Sequence, residues 1–237
     1  MCQSARRDPR QLRAVDYLVR ILNIIFDLDG TLIDSAQLTG AIIDQMLASR
    51  GAVTKADRAL IRRMDAIGGE AMIAAVLGRH SSNPASEIEE FRKIHRTINV
   101  PADLPFPGVR EALEKLTAAG IGMAICSNKP QFLCDKILGD LGLAQHFAII
   151  VGSAPGRAKK PDPESAHLAL SGLGGSPANT LYCGDSSVDL ATARRAGLGA
   201  TLVEWGYGTD EALALEPDTP LTKSMPALVE TVLGHGA

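Results

Sequence analysis

The chain of 237 residues predicts an α/β fold. The core is Rossmann-like, a three-layer arrangement on a parallel sheet, and an all-helical domain is inserted after its first strand. Three observations predict this. A short apolar strand near residue 22 ends in acidic residues. Residues 36–99 then carry helical periodicity with no strand-like alternation. After a cluster of prolines, strands and helices alternate to the C-terminus, the pattern of a parallel sheet covered on both faces.

Residues 1–20 hold Arg6, Arg7, Arg10, Arg13 and Arg20, interrupted by Asp8 and Asp16. They read as a solvated N-terminal extension ending in a short helix, with no secretory apolar segment. The first strand runs from Leu22 to Leu28 and ends in the turn signal Asp29-Gly30-Thr31. Apolar stripes at helical spacing follow: Ala41, Ile42, Met46 and Leu47, then Leu60, Ile61, Met64 and Ile67, then Met72, Ile73, Val76 and Leu77. Gly68-Gly69 and Asn83-Pro84 break the pattern between helices. Pro101, Pro105 and Pro107 mark the return to the core. The expected boundaries are an extension at 1–20, a core at 21–35 and 104–237, and the helical domain at 36–103.

The alternation beyond proline 107 is regular. Helices are expected at 109–119, 131–141, 164–173, 188–196 and 225–233. Strands are expected at 121–126, 147–151, 180–183 and 200–204. Cys126 and Cys183 lie in apolar runs, where a free cysteine acts as a small hydrophobe. No Cys-x-x-Cys pair or zinc spacing is present, which suits a reducing cytoplasm.

Composition excludes several classes. Hydrophobic residues make up 46% and charged residues 22%, with a net charge of −3. This composition gives no strong field for nucleic acid or a membrane. Aromatics at 4% are too few for a base-stacking surface. No apolar run approaches the roughly 20 residues that span a bilayer. The expected state is a monomer or homodimer, with a small molecule as partner.

Ligands of open α/β sheets bind beyond the carboxyl ends of the strands. There the sequence places Asp27 and Asp29, then Ser127-Asn128-Lys129, then Lys160, then Gly184-Asp185 and Asp189. This set suits phosphoryl transfer. One carboxylate can attack phosphorus, splitting a hard displacement into two easier ones. A second can protonate the leaving alkoxide and later deprotonate the attacking water. Asp185 and Asp189 are four residues apart and could face the same pocket. Carboxylates together with substrate phosphate are the usual ligands of Mg2+. Its charge and that of Lys160 offset the acids and the phosphate. Ser127 can donate to a non-bridging oxygen.

Four segments in order carry a family resemblance: Asp27-Leu28-Asp29-Gly30-Thr31-Leu32, Ser127-Asn128-Lys129-Pro130, Lys159-Lys160-Pro161-Asp162-Pro163 and Gly184-Asp185-Ser186-Ser187-Val188-Asp189-Leu190. They resemble the four motifs of the haloacid dehalogenase superfamily. Phe106-Pro107-Gly108-Val109 and Trp205-Gly206-Tyr207-Gly208 are similar to its phosphoglycolate phosphatase-like branch. The resemblance implies Asp27 as nucleophile and metal ligand. It implies Asp29 as acid/base, with its backbone carbonyl on the metal. Thr31, Ser127, Asn128 and Lys160 would hold the phosphoryl group. Asp185 would ligate Mg2+, with Asp189 in the same metal site, supporting it or acting through water. The helical domain would be the family's cap, with a substrate loop at Gly68, Gly69 and Glu70.

The second acid, Asp29, points away from carbon–halogen cleavage and toward P–O chemistry. The expected activity is hydrolysis of a small phosphate monoester, 2-phosphoglycolate first. Inorganic pyrophosphate hydrolysis and β-phosphoglucomutase-like transfer are the alternatives within the superfamily. A catalytically silent binding protein is the alternative outside catalysis. Arg62 and Arg63 read either as contacts for an anionic substrate or as a solvated face. The five histidines lie outside the four segments and read as non-catalytic. Trp205 and Tyr207 read as either pocket border or core.

Overall fold

A computed structural model describes residues 20–65 and 69–234. The expected N-terminal extension, apart from Arg20, and Gly68 of the expected substrate loop lie outside the described residues.

The first strand, β1 (Asn23–Phe26), is wholly buried. Four helices follow: α1 (Ser35–Ser49), α2 (Arg58–Asp65), α3 (Gly69–Leu77) and α4 (Pro84–Thr97). The sheet then resumes through α5 (Val109–Ala118), β2 (Gly122–Pro130), α6 (Gln131–Asp140), β3 (Ile149–Ser153), α7 (Glu164–Gly172) and β4 (Thr180–Gly184). It is completed by α8 (Ser187–Arg195), β5 (Gly199–Val203), α9 (Thr209–Leu215), β6 (Leu221–Thr222) and α10 (Met225–Gly234). Every strand pairing is parallel, in the order β3-β2-β1-β4-β5-β6. The expected parallel α/β fold is therefore present.

Side-chain alternation along β1 builds the three layers. Ile24 and Phe26 join a core with Leu113 and Leu116 of α5, Ile137 of α6 and Leu228 of α10. Ile25 points the other way, to Ala166 and Ala169 of α7 and Ala193 of α8. Helix α1 buries Leu38, Ile42, Ile43, Met46 and Leu47, and Ile61, Ile73, Ile88 and Phe91 of the next three helices belong to the same apolar cluster.

The chain leaves and re-enters the core through two segments that lie side by side. The Asp34 N–H donates to the Leu104 carbonyl at 2.9 Å and the Phe106 N–H to the Leu32 carbonyl at 3.0 Å.

Element boundaries differ from expectation in ways that bear on the site. Strand β1 stops at Phe26, so Asp27 follows it at once. Strand β2 continues past Cys126 to Pro130, and its register with β3 slips between Cys126 and Pro130. Ser127, Asn128 and Lys129 lie in that irregular stretch, the kind of bulge that re-aims side chains. Helix α9 and strand β6 were not expected. Strand β6 has only two residues, too few to show an alternation.

Candidate active site

Strand order reverses around β1, which is flanked by β2 and β4, and the crevice beyond such a reversal is where α/β sheets bind ligands. Asp27 emerges there, its N–H still in the ladder to the Cys183 carbonyl at 2.9 Å. The chain then curls so that the N–H groups of Leu32 and Ile33 return to the Leu28 carbonyl. Gly30 sits in this curl with φ of +76°, and a Cβ there would lie 2.4 Å from Asp185 Oδ2. Only glycine meets both demands.

Asp27, Asp185 and Asp189 each bring an oxygen within 4.8 Å of the others, and all three are buried. Lys160 is buried among them. Its Nζ lies 2.8 Å from Asp27 Oδ1 and 2.7 Å from Asp189 Oδ1. It also donates to the Cys126 carbonyl at 3.1 Å. The approach to Asp27 Oδ1 is an ion pair.

Three carboxylates against one ammonium leave two surplus negative charges, the charge of one divalent cation. The acid strengths reflect that surplus. Burial pushes the Asp27 carboxyl up to about 7, and the attraction of Lys160 does not offset it. Burial, with Asp189 and Asp27 nearby, holds Asp185 well above the usual carboxylate range. Asp189 moves down despite its burial, because Lys160 sits on it. The pull of Asp189 and Asp27 likewise outweighs burial at Lys160 and raises its pKa. A surplus of buried carboxylate charge, with one acid held from one side only, fits a hard cation that takes oxygen ligands.

The two acids of the last motif differ in what remains free. Asp185 accepts through Oδ2 from the Tyr207 N–H at 2.8 Å and the Gly208 N–H at 3.4 Å. Among the described residues, no bond engages its other oxygen. Asp189 Oδ2 accepts from the N–H groups of Asp185 and Ser186 and from Ser186 Oγ. Its Oδ1 takes Lys160 and the Tyr182 hydroxyl. Asp189 is thus the helix-capping acid of α8, and it holds Lys160 and the turn beside Asp185.

Asn128 lies beside Lys160. Its amide bonds the Lys160 backbone twice, donating to the carbonyl at 3.1 Å and accepting from the N–H at 2.8 Å. It therefore positions Lys160. Ser127 is buried, and its Oγ accepts from the Lys129 N–H at 3.2 Å. Thr31 Oγ1 is buried without a partner, while its carbonyl takes the Trp205 indole N–H at 3.1 Å. Asp29 is gripped by Lys129, whose Nζ lies 2.9 and 3.0 Å from its two oxygens. Gly69 and Glu70 are exposed at the start of α3.

Arg62 is not free for a substrate. It pairs with Asp34 Oδ2 at 2.8 Å and lies over the Tyr207 ring at 5.8 Å. The Tyr207 hydroxyl donates to Asp34 Oδ1 at 2.5 Å and accepts from the Ala36 N–H. Tyr182 and the bonds of the Tyr207 hydroxyl escape a motif-by-motif reading. Tyr182 sits in an apolar strand and Tyr207 in a loop, and their partners are more than 20 residues away in the chain, apart from Asp189 beside Tyr182.

A family model described as haloacid dehalogenase-like hydrolase matches residues 24–203. A phosphoglycolate phosphatase of Mesorhizobium japonicum is 35% identical over 205 residues, covering 84% of this chain and 89% of that protein. An N-acetylmuramic acid 6-phosphate phosphatase of Pseudomonas aeruginosa is 32% identical over 191 residues, covering 80% and 84%. The solved structure of a haloacid dehalogenase-like family protein from Streptococcus pneumoniae superposes with a TM-score of 0.71 at 24% identity, covering 88% of this chain and 97% of that one.

Proposed function

The chain belongs to the haloacid dehalogenase-like hydrolase family, and from that premise we propose that it is a Mg2+-dependent phosphatase working through a phosphorylated Asp27. The observation that carries the proposal is the buried Asp27 at the carboxyl end of the central strand, ion-paired to Lys160 and clustered with Asp185 and Asp189.

In this reading Asp27 attacks phosphorus, forming an acyl-phosphate bond while the ester P–O bond breaks. Asp29 turns from Lys129 and gives a proton to the leaving oxygen. It then takes a proton from the water that attacks the same phosphorus. That second displacement breaks the acyl-phosphate bond and releases inorganic phosphate and a regenerated Asp27. Lys160 stays beside Asp27 throughout, held there by Asp189 and Asn128. Ser127 and Thr31 offer hydroxyls to the non-bridging oxygens. Asp27 and Asp185 would hold the cation, which when bound supplies positive charge to the phosphoryl oxygens. The helices between β1 and β2 act as the cap over the site and exclude water.

The substrate we infer first is 2-phosphoglycolate, because the relative at 35% identity bears that name. A larger acid phosphate is the second reading, favoured by the relative acting on N-acetylmuramic acid 6-phosphate. Both esters carry a carboxylate. The described cysteines, Cys126, Cys134 and Cys183, are free and buried, which supports a reducing cytoplasm as the setting. No helix among the described residues is long and apolar enough to cross a membrane.

The test is phosphate release from 2-phosphoglycolate and from an aryl phosphate, with Mg2+ and with chelator. Asp27→Asn should abolish both activities while circular dichroism stays unchanged. Turnover that survives the substitution, or survives chelation, refutes the reading.

A further inference from the structure

Tyr182 of β4 is wholly buried. It pairs with Ile25 of β1 in the parallel ladder, and both side chains belong to the cluster packed by α7 and α8. Ala166, Ala169, Ala193 and Ala196 belong to that cluster too, and such small side chains leave room for a large ring. Packing asks only for the ring, which phenylalanine would supply. The hydroxyl has a different environment. It lies 3.3 Å from the Cys126 carbonyl of β2, 3.2 Å from Asp189 Oδ1 and 3.4 Å from Lys160 Nζ. Strand β1 stands between β4 and β2, so this side chain reaches past the strand that presents Asp27. A buried tyrosine hydroxyl needs a partner, and here each neighbour is Lys160 or a group bonded to it.

An ammonium has three N–H bonds to give. Three oxygens lie near Lys160 Nζ: Asp189 Oδ1 at 2.7 Å, Asp27 Oδ1 at 2.8 Å and the Cys126 carbonyl at 3.1 Å. They take all three protons, so the single tyrosine proton goes to an acceptor that the lysine already uses. Charge favours Asp189 Oδ1 over the carbonyl. A carboxylate oxygen shared between two donors pulls on each less than it would on one alone. We propose that Tyr182 is a positioning residue of the reaction, whose hydroxyl occupies Asp189 Oδ1 and so keeps the Lys160 ammonium on Asp27. This rests on the reading above in one respect, that Asp27 attacks phosphorus with Lys160 beside it. Without the hydroxyl, Asp189 has one donor fewer in a buried place, and the ammonium settles toward it and away from Asp27.

The experiment compares wild type with Tyr182→Phe, which keeps the ring and removes the hydroxyl alone. Turnover of 2-phosphoglycolate and of an aryl phosphate is followed at saturating Mg2+. Both kcat and kcat/KM should fall together by roughly tenfold, the size of one hydrogen bond to a charged group. KM should stay unchanged, the pattern of an interaction made only in the transition state. Both displacements take place at Asp27 beside Lys160, so whichever limits turnover is slowed. Mg2+ affinity in calorimetry should not fall, because the backbone of Tyr207 and Gly208, not Tyr182, holds Asp185. Wild-type turnover in Tyr182→Phe would make the hydroxyl a matter of core packing and overturn the proposal. A loss of kcat joined by a higher KM and weaker Mg2+ binding would mean general distortion of the site, and would overturn it too. In both cases wild-type Mg2+-dependent turnover that is lost in Asp27→Asn leaves the phosphatase reading standing. No wild-type turnover of either ester would remove that reading and the role of Tyr182 with it.

Discussion

Replacing Lys160 with methionine isolates the electrostatic arrangement at the centre of the site. The Lys160 side chain is 4% exposed, 2.8 Å from Asp27 and 2.7 Å from Asp189. Methionine preserves much of the volume and removes the ammonium paired with Asp27 and Asp189. Removing one partner of a buried ion pair typically costs about 3–5 kcal/mol. The loss should depend on pH. In wild type Asp189 is held low by Lys160. Without the lysine, burial raises its folded-state pKa above the unfolded value. The folded variant then binds more protons than the unfolded one, so it gains stability as pH falls. One proton changes stability by about 1.36 kcal/mol per pH unit. From pH 8 to pH 6 the deficit should therefore shrink by up to about 2.7 kcal/mol. The assay is urea unfolding of both proteins in chelator at the two pH values. A deficit that stays constant, or grows toward pH 6, refutes the idea that Lys160 is the counter-charge of this cluster.

Gly30→Ala should lower Mg2+ affinity by tenfold or more in calorimetry, because its Cβ would fall 2.4 Å from Asp185 Oδ2 at a φ of +76°; unchanged affinity would mean that Asp185 is not the ligand. Mg2+ binding should weaken by up to about tenfold per pH unit below neutrality, because Asp27 takes a proton at about 7. An affinity flat from pH 6 to 8 would contradict this. Tyr207→Phe removes the bonds to Asp34 and the Ala36 N–H and should cost about 1–2 kcal/mol in urea unfolding. Mg2+ affinity should stay close to wild type, since the Tyr207 backbone and not its hydroxyl holds Asp185.

Much of the site is legible because each acid follows a strand. Apolar runs 22–26 and 180–183 locate β1 and β4, and with them the positions of Asp27 and Asp185. Helical periodicity likewise separates the four helices after β1 from the sheet that follows. Three residues have partners that no local pattern shows. The side chain of Asn128 bonds the Lys160 backbone. Asp189 accepts from N–H groups at the start of α8. Arg62 pairs with Asp34, 28 residues earlier.

His95 is the extreme case. In the sequence it is one of five histidines on a helical pattern, with nothing to distinguish it. In the fold it is buried and both ring nitrogens lack a hydrogen-bond partner, which no local pattern reveals. Sequence alone determined the layers, the helical insertion and the acids at the strand ends, because periodicity and strand-end position are local properties. Only the tertiary structure decided which oxygens and nitrogens remain available, because hydrogen-bond capacity is consumed by neighbours that are distant in the chain.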